Sequence, residues 1–167
     1  MKRTLLNFAL LSMAAAMTFM MSCKEEKVEK VELHEYKVKV VLSGDKEFFS
    51  GNIALSPSEV NPPINFIDES TNQVVDEGVF PTGTVIELNK MKLGANSYKG
   101  DRKMGYLAVV YGFDYDKPTN PDPDQNPTLE GEITLYEDGK AVETQTFKVD
   151  KINITVNEHF EYNPWLD

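Results

Sequence analysis

The sequence predicts an all-β protein, an antiparallel β-sandwich of about eight strands following an N-terminal signal and tether. Three observations predict it. From residue 33 onward no segment sustains a helical period. Short runs of β-branched and aromatic residues recur there, separated by Gly, Pro, Asn and Asp. One such junction, Asp138-Gly139, sits between two strand-like runs, and Asp-Gly suits the two positive-φ positions of a tight hairpin turn. A small closed barrel is the rival architecture.

The chain opens with basic Lys2-Arg3 and then carries no charge from Leu5 to Met21. A basic head, an apolar run and a small residue before a cut make the layout of a secretory signal. A membrane span needs about 20 apolar residues. Here the run is slightly short, and Asn7, Ser12 and Thr18 interrupt it. The run ends at Met20-Met21-Ser22-Cys23, and Cys23 is the single cysteine of the chain. These residues resemble the lipobox of bacterial lipoproteins. The resemblance implies a diacylglyceryl group on the Cys23 sulfur, cleavage after Ser22 and acylation of the new amine. Ser22 matches the small residue wanted before the cut, whereas Met20 departs from the usual Leu. The bland alternative is a small residue closing the apolar run. Several acyl chains anchor stably where one alone is marginal.

Lys24-Glu25-Glu26 follows. It resembles the export signal of Bacteroidota surface lipoproteins, which implies the outer face of the outer membrane, with the periplasmic face as the alternative. Glu25 to Glu32 is too charged to bury and reads as a flexible spacer. The expected organisation is therefore a signal at 1–22, an acylated cysteine and tether at 23–32, and a single sandwich domain at 33–167. Cleavage would remove two basic residues and no acids, leaving 15 basic against 27 acidic residues, a net charge near −12. Such a surface repels nucleic acid and anionic membrane, so neither is an expected partner. With its one cysteine acylated the domain has no disulfide, and its stability must come from packing.

Tyr36, Val38, Val40 and Leu42 alternate with Lys37, Lys39 and Val41, placing four apolar residues on one face of a first strand. Gly44-Asp45 turns the chain into a second strand from Phe48 to Leu55, with a bulge expected at Gly51. Pro57, Pro62 and Pro63 break the pattern. Ile64 to Ile67 and Gln73 to Val75 flank Glu69 to Asn72 as a small hairpin, and Gly78 to Gly83 reads as a turn. Thr84 to Met91 reads as a strand, and Gly94 to Gly105 as a polar loop. Tyr106 to Phe113 is apolar on both parities, the mark of a central strand. A proline-rich loop from Asp114 to about Thr128 follows. Leu129–Tyr136 and Ala141–Val149 form the Asp-Gly hairpin, and Ile152, Ile154 and Val156 alternate in a last strand. The hairpin and closing strand resemble those of immunoglobulin-like or fibronectin-like modules.

The catalytic inventory is thin. His34 and His159 are the only histidines, with no zinc spacing, nucleophile elbow or phosphate loop. No catalytic residue is expected, and the chain reads as a non-enzyme. Asp122, Asp124 and Asn126 recur at every second position before Glu130, an oxygen-rich strip that makes calcium the one candidate cation. Pro127 stands where a helix–loop–helix calcium loop needs Gly, so the alternative is a stiff solvated connection. Tyr115 and Trp165 are the candidate rings for ligand contact, against a role as core plugs. The expected function is a lipid-anchored binding or accessory module of the outer membrane, with a glycan or an envelope protein as ligand. The alternatives are an assembly subunit of a fimbria-like complex and a carboxylate-based hydrolase.

Overall fold

The computed structural model describes residues 31–58, 63–75, 79–80, 83–116 and 124–162. The expected residues Cys23, Asp122 and Trp165 lie outside the described residues.

Eleven strands appear: β1 (Tyr36–Gly44), β2 (Phe49–Pro57), β3 (Phe66–Asp68), β4 (Gln73–Val74), β5 (Val79–Phe80), β6 (Gly83–Glu87), β7 (Gly94–Gly100), β8 (Leu107–Tyr115), β9 (Thr128–Glu137), β10 (Lys140–Asp150) and β11 (Thr155–Tyr162). Single 3-10 turns precede β2 and follow β6. The strands form two antiparallel sheets, ordered β10-β9-β1-β7-β3-β4 and β11-β8-β2-β6-β5. The protein is an all-β sandwich.

β1 forms as its alternation dictates. Tyr36, Val38 and Val40 are wholly buried, Leu42 nearly so, and Lys37, Lys39 and Val41 lie on the outer face. β1 pairs with β7 on one side and β9 on the other. The Asp-Gly turn is as expected, with φ of +46° at Asp138 and +82° at Gly139. The predicted hairpin across Glu69–Asn72 is the β3–β4 pair.

Four local expectations give way. Gly94 to Gly100 is not a loop but β7, held between β1 and β3. Its sequence GANSYKG has little strand propensity, so pairing on both edges forms it. The stretch Gly78 to Gly83 contains β5, which pairs with the start of β6, and the strand expected to Met91 ends at Glu87 in a 3-10 turn. Gly51 is not a bulge, because the β2–β8 ladder runs unbroken through Gly51 and Phe113. It is glycine because its φ is +142° and a Cβ there would sit 2.1 Å from the Gly112 carbonyl oxygen. Among the described residues a register shift falls in β10, between Ala141 and Glu143.

Ile152 and Ile154 also depart from the expected alternation. They do not line a strand but stand 88% and 56% exposed in the turn before β11. The Asp150 carboxylate accepts the backbone N–H groups of Ile152 and Asn153, each at 2.7 Å, which closes the turn ahead of the strand.

β8 lies inside its sheet between β11 and β2, yet only one face is covered. Leu107, Val109, Tyr111 and Phe113 are buried, while Val110 remains 46% exposed. Across the sandwich Phe147 of β10 stacks on Phe113, with ring centroids 4.7 Å apart, and tilts against Tyr111 at 5.5 Å. Gly131 makes room for that ring, since a Cβ there would lie 2.4 Å from the Phe147 Cζ. These aromatic contacts join the two sheets on the β10–β11 side.

Candidate functional site

The sandwich has two dissimilar ends. At one end the chain enters through His34, whose backbone exchanges two hydrogen bonds of 2.9 Å with Met104. The His34 Nδ1 lies 2.8 Å from Asp138 Oδ2 and 3.6 Å from Glu137 Oε1. The Glu35 N–H donates to Asp138 Oδ1 at 2.9 Å, and the Tyr36 hydroxyl donates to Glu137 Oε1 at 3.0 Å. The hydrogen bond that the Asp138 carboxylate accepts from the His34 ring raises the His34 pKa, the negative charges of Glu137, Asp138 and Glu32 add to this, and burial opposes it. The Asp138 carboxyl is held below its ordinary range by the Glu35 N–H and then by His34. His34 is therefore a structural clasp between the first strand and the β9–β10 turn.

The other end lies the length of β1 away, roughly 27 Å for nine residues. It carries the rim of the 114–128 connection. Asp45 fastens this rim, with its N–H donating to the Thr128 carbonyl at 2.8 Å and its carboxylate accepting the Thr128 N–H at 3.0 Å. Tyr115 packs half-buried on Phe49, centroids 5.6 Å apart, so its ring closes the edge of the core. Asp124 and Asn126 are exposed, and Glu130 faces outward on β9, 2.6 Å from Lys148 Nζ. Among the described residues no group of three or more His, Cys, Asp or Glu is arranged to hold a metal ion. Nor does any described helix have the length and apolarity to cross a membrane.

A third feature leaves little trace in the sequence. On the outer face of the smaller sheet, register aligns Glu87, Asn52, Gly112 and Asn157 across β6, β2, β8 and β11. Glycine at the third place leaves a shallow hollow of about 360 Å³, with Asn52 and Asn157 on its two sides and Val110 and Asp114 along β8. A Cβ on Gly112 would meet only the Asn157 side chain (Oδ1 at 2.3 Å, Cγ at 3.5 Å) before reaching backbone at 3.7 Å. Thr155 donates to Asp114 Oδ1 at 2.6 Å. The side chains of Asn52 and Asn157 have no hydrogen-bond partner among the described residues. The only sequence signal for this site was a glycine inside a strand, which often marks close approach of a ligand or another backbone.

Fold and surface thus define a two-sheet β-sandwich with a clasped entry end, a rim and an outer-face hollow. Solved structures share that architecture. A domain of unknown function, DUF4425, from Bacteroides vulgatus ATCC 8482 superposes with a TM-score of 0.57 at 12% identity, covering 80% of this chain and 96% of the other. A DUF4425 family protein from Bacteroides ovatus ATCC 8483 gives 0.56 at 15% identity, covering 78% and 95%. The calcium-bound form of a protein from Parabacteroides distasonis, solved by NMR, gives 0.52 at 15% identity, covering 81% and 98%. At these identities the likeness is one of fold. No protein-family model matches the chain, and no curated protein matches it.

Proposed function

We propose that the protein is a non-enzymatic binding module held at the outer membrane by lipid on Cys23, with residues 24–32 as its tether. One structural observation supports this reading above the others. The chain enters the sandwich at the His34 end, and Asp45 and Thr128 stand at the far end of β1. The Bacteroides and Parabacteroides origin of the structural neighbours agrees with the resemblance of Lys24-Glu25-Glu26 to a Bacteroidota export signal. The test is to express the full chain with labelled palmitate and treat intact cells with protease. Label that enters the wild type but not Cys23→Ala, together with cleavage on intact cells, is expected. Unlabelled protein in the soluble fraction would overturn the reading.

Calcium belongs to the same proposal as the candidate ion of the Asp122, Asp124, Asn126 and Glu130 strip. It is supported by the oxygen-rich spacing and by the calcium-bound neighbour. Glu130 would have to exchange Lys148 for the ion. A Tm that rises with calcium and falls with chelator is expected. An unchanged Tm would remove the ion from the account.

Assembly through strand addition is the second reading, and β11 favours it. This strand is an eight-residue edge with unbroken register. The neighbouring edge, β10, is guarded by its register shift and by half-buried Glu143. A concentration-dependent oligomer in light scattering would support assembly, and a monomer throughout would count against self-assembly.

A further inference from the structure

We infer that the hollow over Gly112 is a binding site for an uncharged saccharide. The inference deepens the proposed binding role and rests on it. Asn52 and Asn157 stand on either side of Gly112, one strand away in each direction, so their Cα atoms are separated by about two strand spacings, near 10 Å. Each amide offers both a donor and an acceptor. Neither is engaged by another described side chain or backbone group. Vicinal hydroxyls of a sugar ring need that mixture of donor and acceptor. The Asn157 amide oxygen rests over Gly112, 2.3 Å from where a Cβ would stand, so a ring in the hollow would lie on the Asn52 side of that amide. Val110, half-exposed beside the hollow, supplies an apolar surface for the C–H face of the ring.

Charge narrows the class. The lining contains no Lys or Arg, and Asp114 and Glu158 border it, so an anionic ligand would be repelled. A second outer-face hollow, around Gly131 on the larger sheet, offers a contrast. Its Glu130 and Lys148 are paired at 2.6 Å, and the Ser43 hydroxyl donates to the Glu130 carbonyl at 3.5 Å. Its polar groups are largely satisfied from within, whereas the amides over Gly112 are left to solvent or ligand.

The test uses the full chain, isotope-labelled and dissolved in a detergent without a sugar headgroup. Maltohexaose, cellohexaose and xylohexaose are titrated to about 10 mM, within the range where millimolar dissociation constants are measured. A heparin hexasaccharide serves as the anionic control. Amide shifts centred on Gly51, Asn52, Gly112 and Asn157 are expected with at least one neutral sugar and not with heparin. Asn52→Ala, Asn157→Ala and Gly112→Ala should each weaken that binding at least tenfold while leaving Tm close to wild type. Gly112→Ala displaces only the Asn157 amide and so fills the hollow with little disturbance of backbone. Silence from all three neutral sugars, shifts confined to the 114–128 rim, or equal binding of heparin would each overturn the inference. Palmitate labelling of the same chain is read independently. A labelled protein with no sugar response defeats this inference alone, and an unlabelled one defeats the anchoring.

Discussion

Replacing Phe147 by Ala tests what holds the two sheets together. Phe147 is 7% exposed and lies on β10, an edge strand of the larger sheet. Its ring stacks on Phe113 at 4.7 Å and meets Tyr111 at 5.5 Å, both on the opposite sheet. Truncating a buried phenylalanine costs about 3–5 kcal/mol, from lost transfer energy and the cavity left behind. The site is at an edge, where neighbours and water can relax into the space, so the lower value, about 3 kcal/mol, is expected. That is a large part of the roughly 5–15 kcal/mol by which a domain is stable. At roughly 3–4 °C per kcal/mol for this size, Tm should fall by about 10 °C. Urea unfolding followed by near-ultraviolet dichroism measures the free energy. Gly131 supplies an internal check, because a methyl there collides with the Phe147 ring. Gly131→Ala should therefore cost at least about 1 kcal/mol less in the Phe147→Ala background than alone. A loss below about 1 kcal/mol for Phe147→Ala, or strict additivity in the cycle, would refute the idea that this aromatic cluster joins the sheets.

Gly51→Ala should abolish folding or cost more than about 4 kcal/mol, since its Cβ would strike the Gly112 carbonyl oxygen. Gly94→Ala, at φ +86° with open space around it, should cost only about 1 kcal/mol from backbone conformation, and equal losses at the two positions by thermal melts would disprove the close-approach argument. The raised His34 pKa makes the clasp stabilising below about pH 6.5 and progressively less so as pH rises through the higher native value. The depressed Asp138 pKa acts in the opposite window, stabilising above about pH 4 and fading as pH falls through its native value. An NMR titration of the His34 ring midpoint should lie above the ordinary value in the wild type and drop in Asp138→Asn, and a midpoint unmoved by that substitution would contradict the pairing. Ile152→Ser should change Tm by less than about 2 °C because the side chain is 88% exposed, and a large drop would show that the turn buries it in solution.

Strict alternation needs no partner to be recognised, so β1 could be read from Tyr36 to Leu42 and emerges with those residues inside. The Asp138-Gly139 hairpin is equally local, because its two positive φ angles depend on the residues that adopt them. In β7 the signal is absent. Asn96 is buried there, its amide bonded to the Lys92 N–H and carbonyl, and the strand exists because β1 and β3 offer ladders on both sides. Ile152 and Ile154 show the reverse. Alternation suggested a strand, and the neighbouring Asp150 carboxylate closed a turn instead.

The all-β class, the first strand, the hairpin and the acidic balance are all readable from the residues. Each is a property of a few neighbouring residues or of their sum. Packing and pairing set that Gly51 faces the Gly112 carbonyl, that Phe147 fills the space beside Gly131, and that Asn52, Gly112 and Asn157 share one row. Those relations join residues well separated in the chain through strand register. A shift of one residue would turn each side chain to the other face, and no local pattern records which register the packed sheets select.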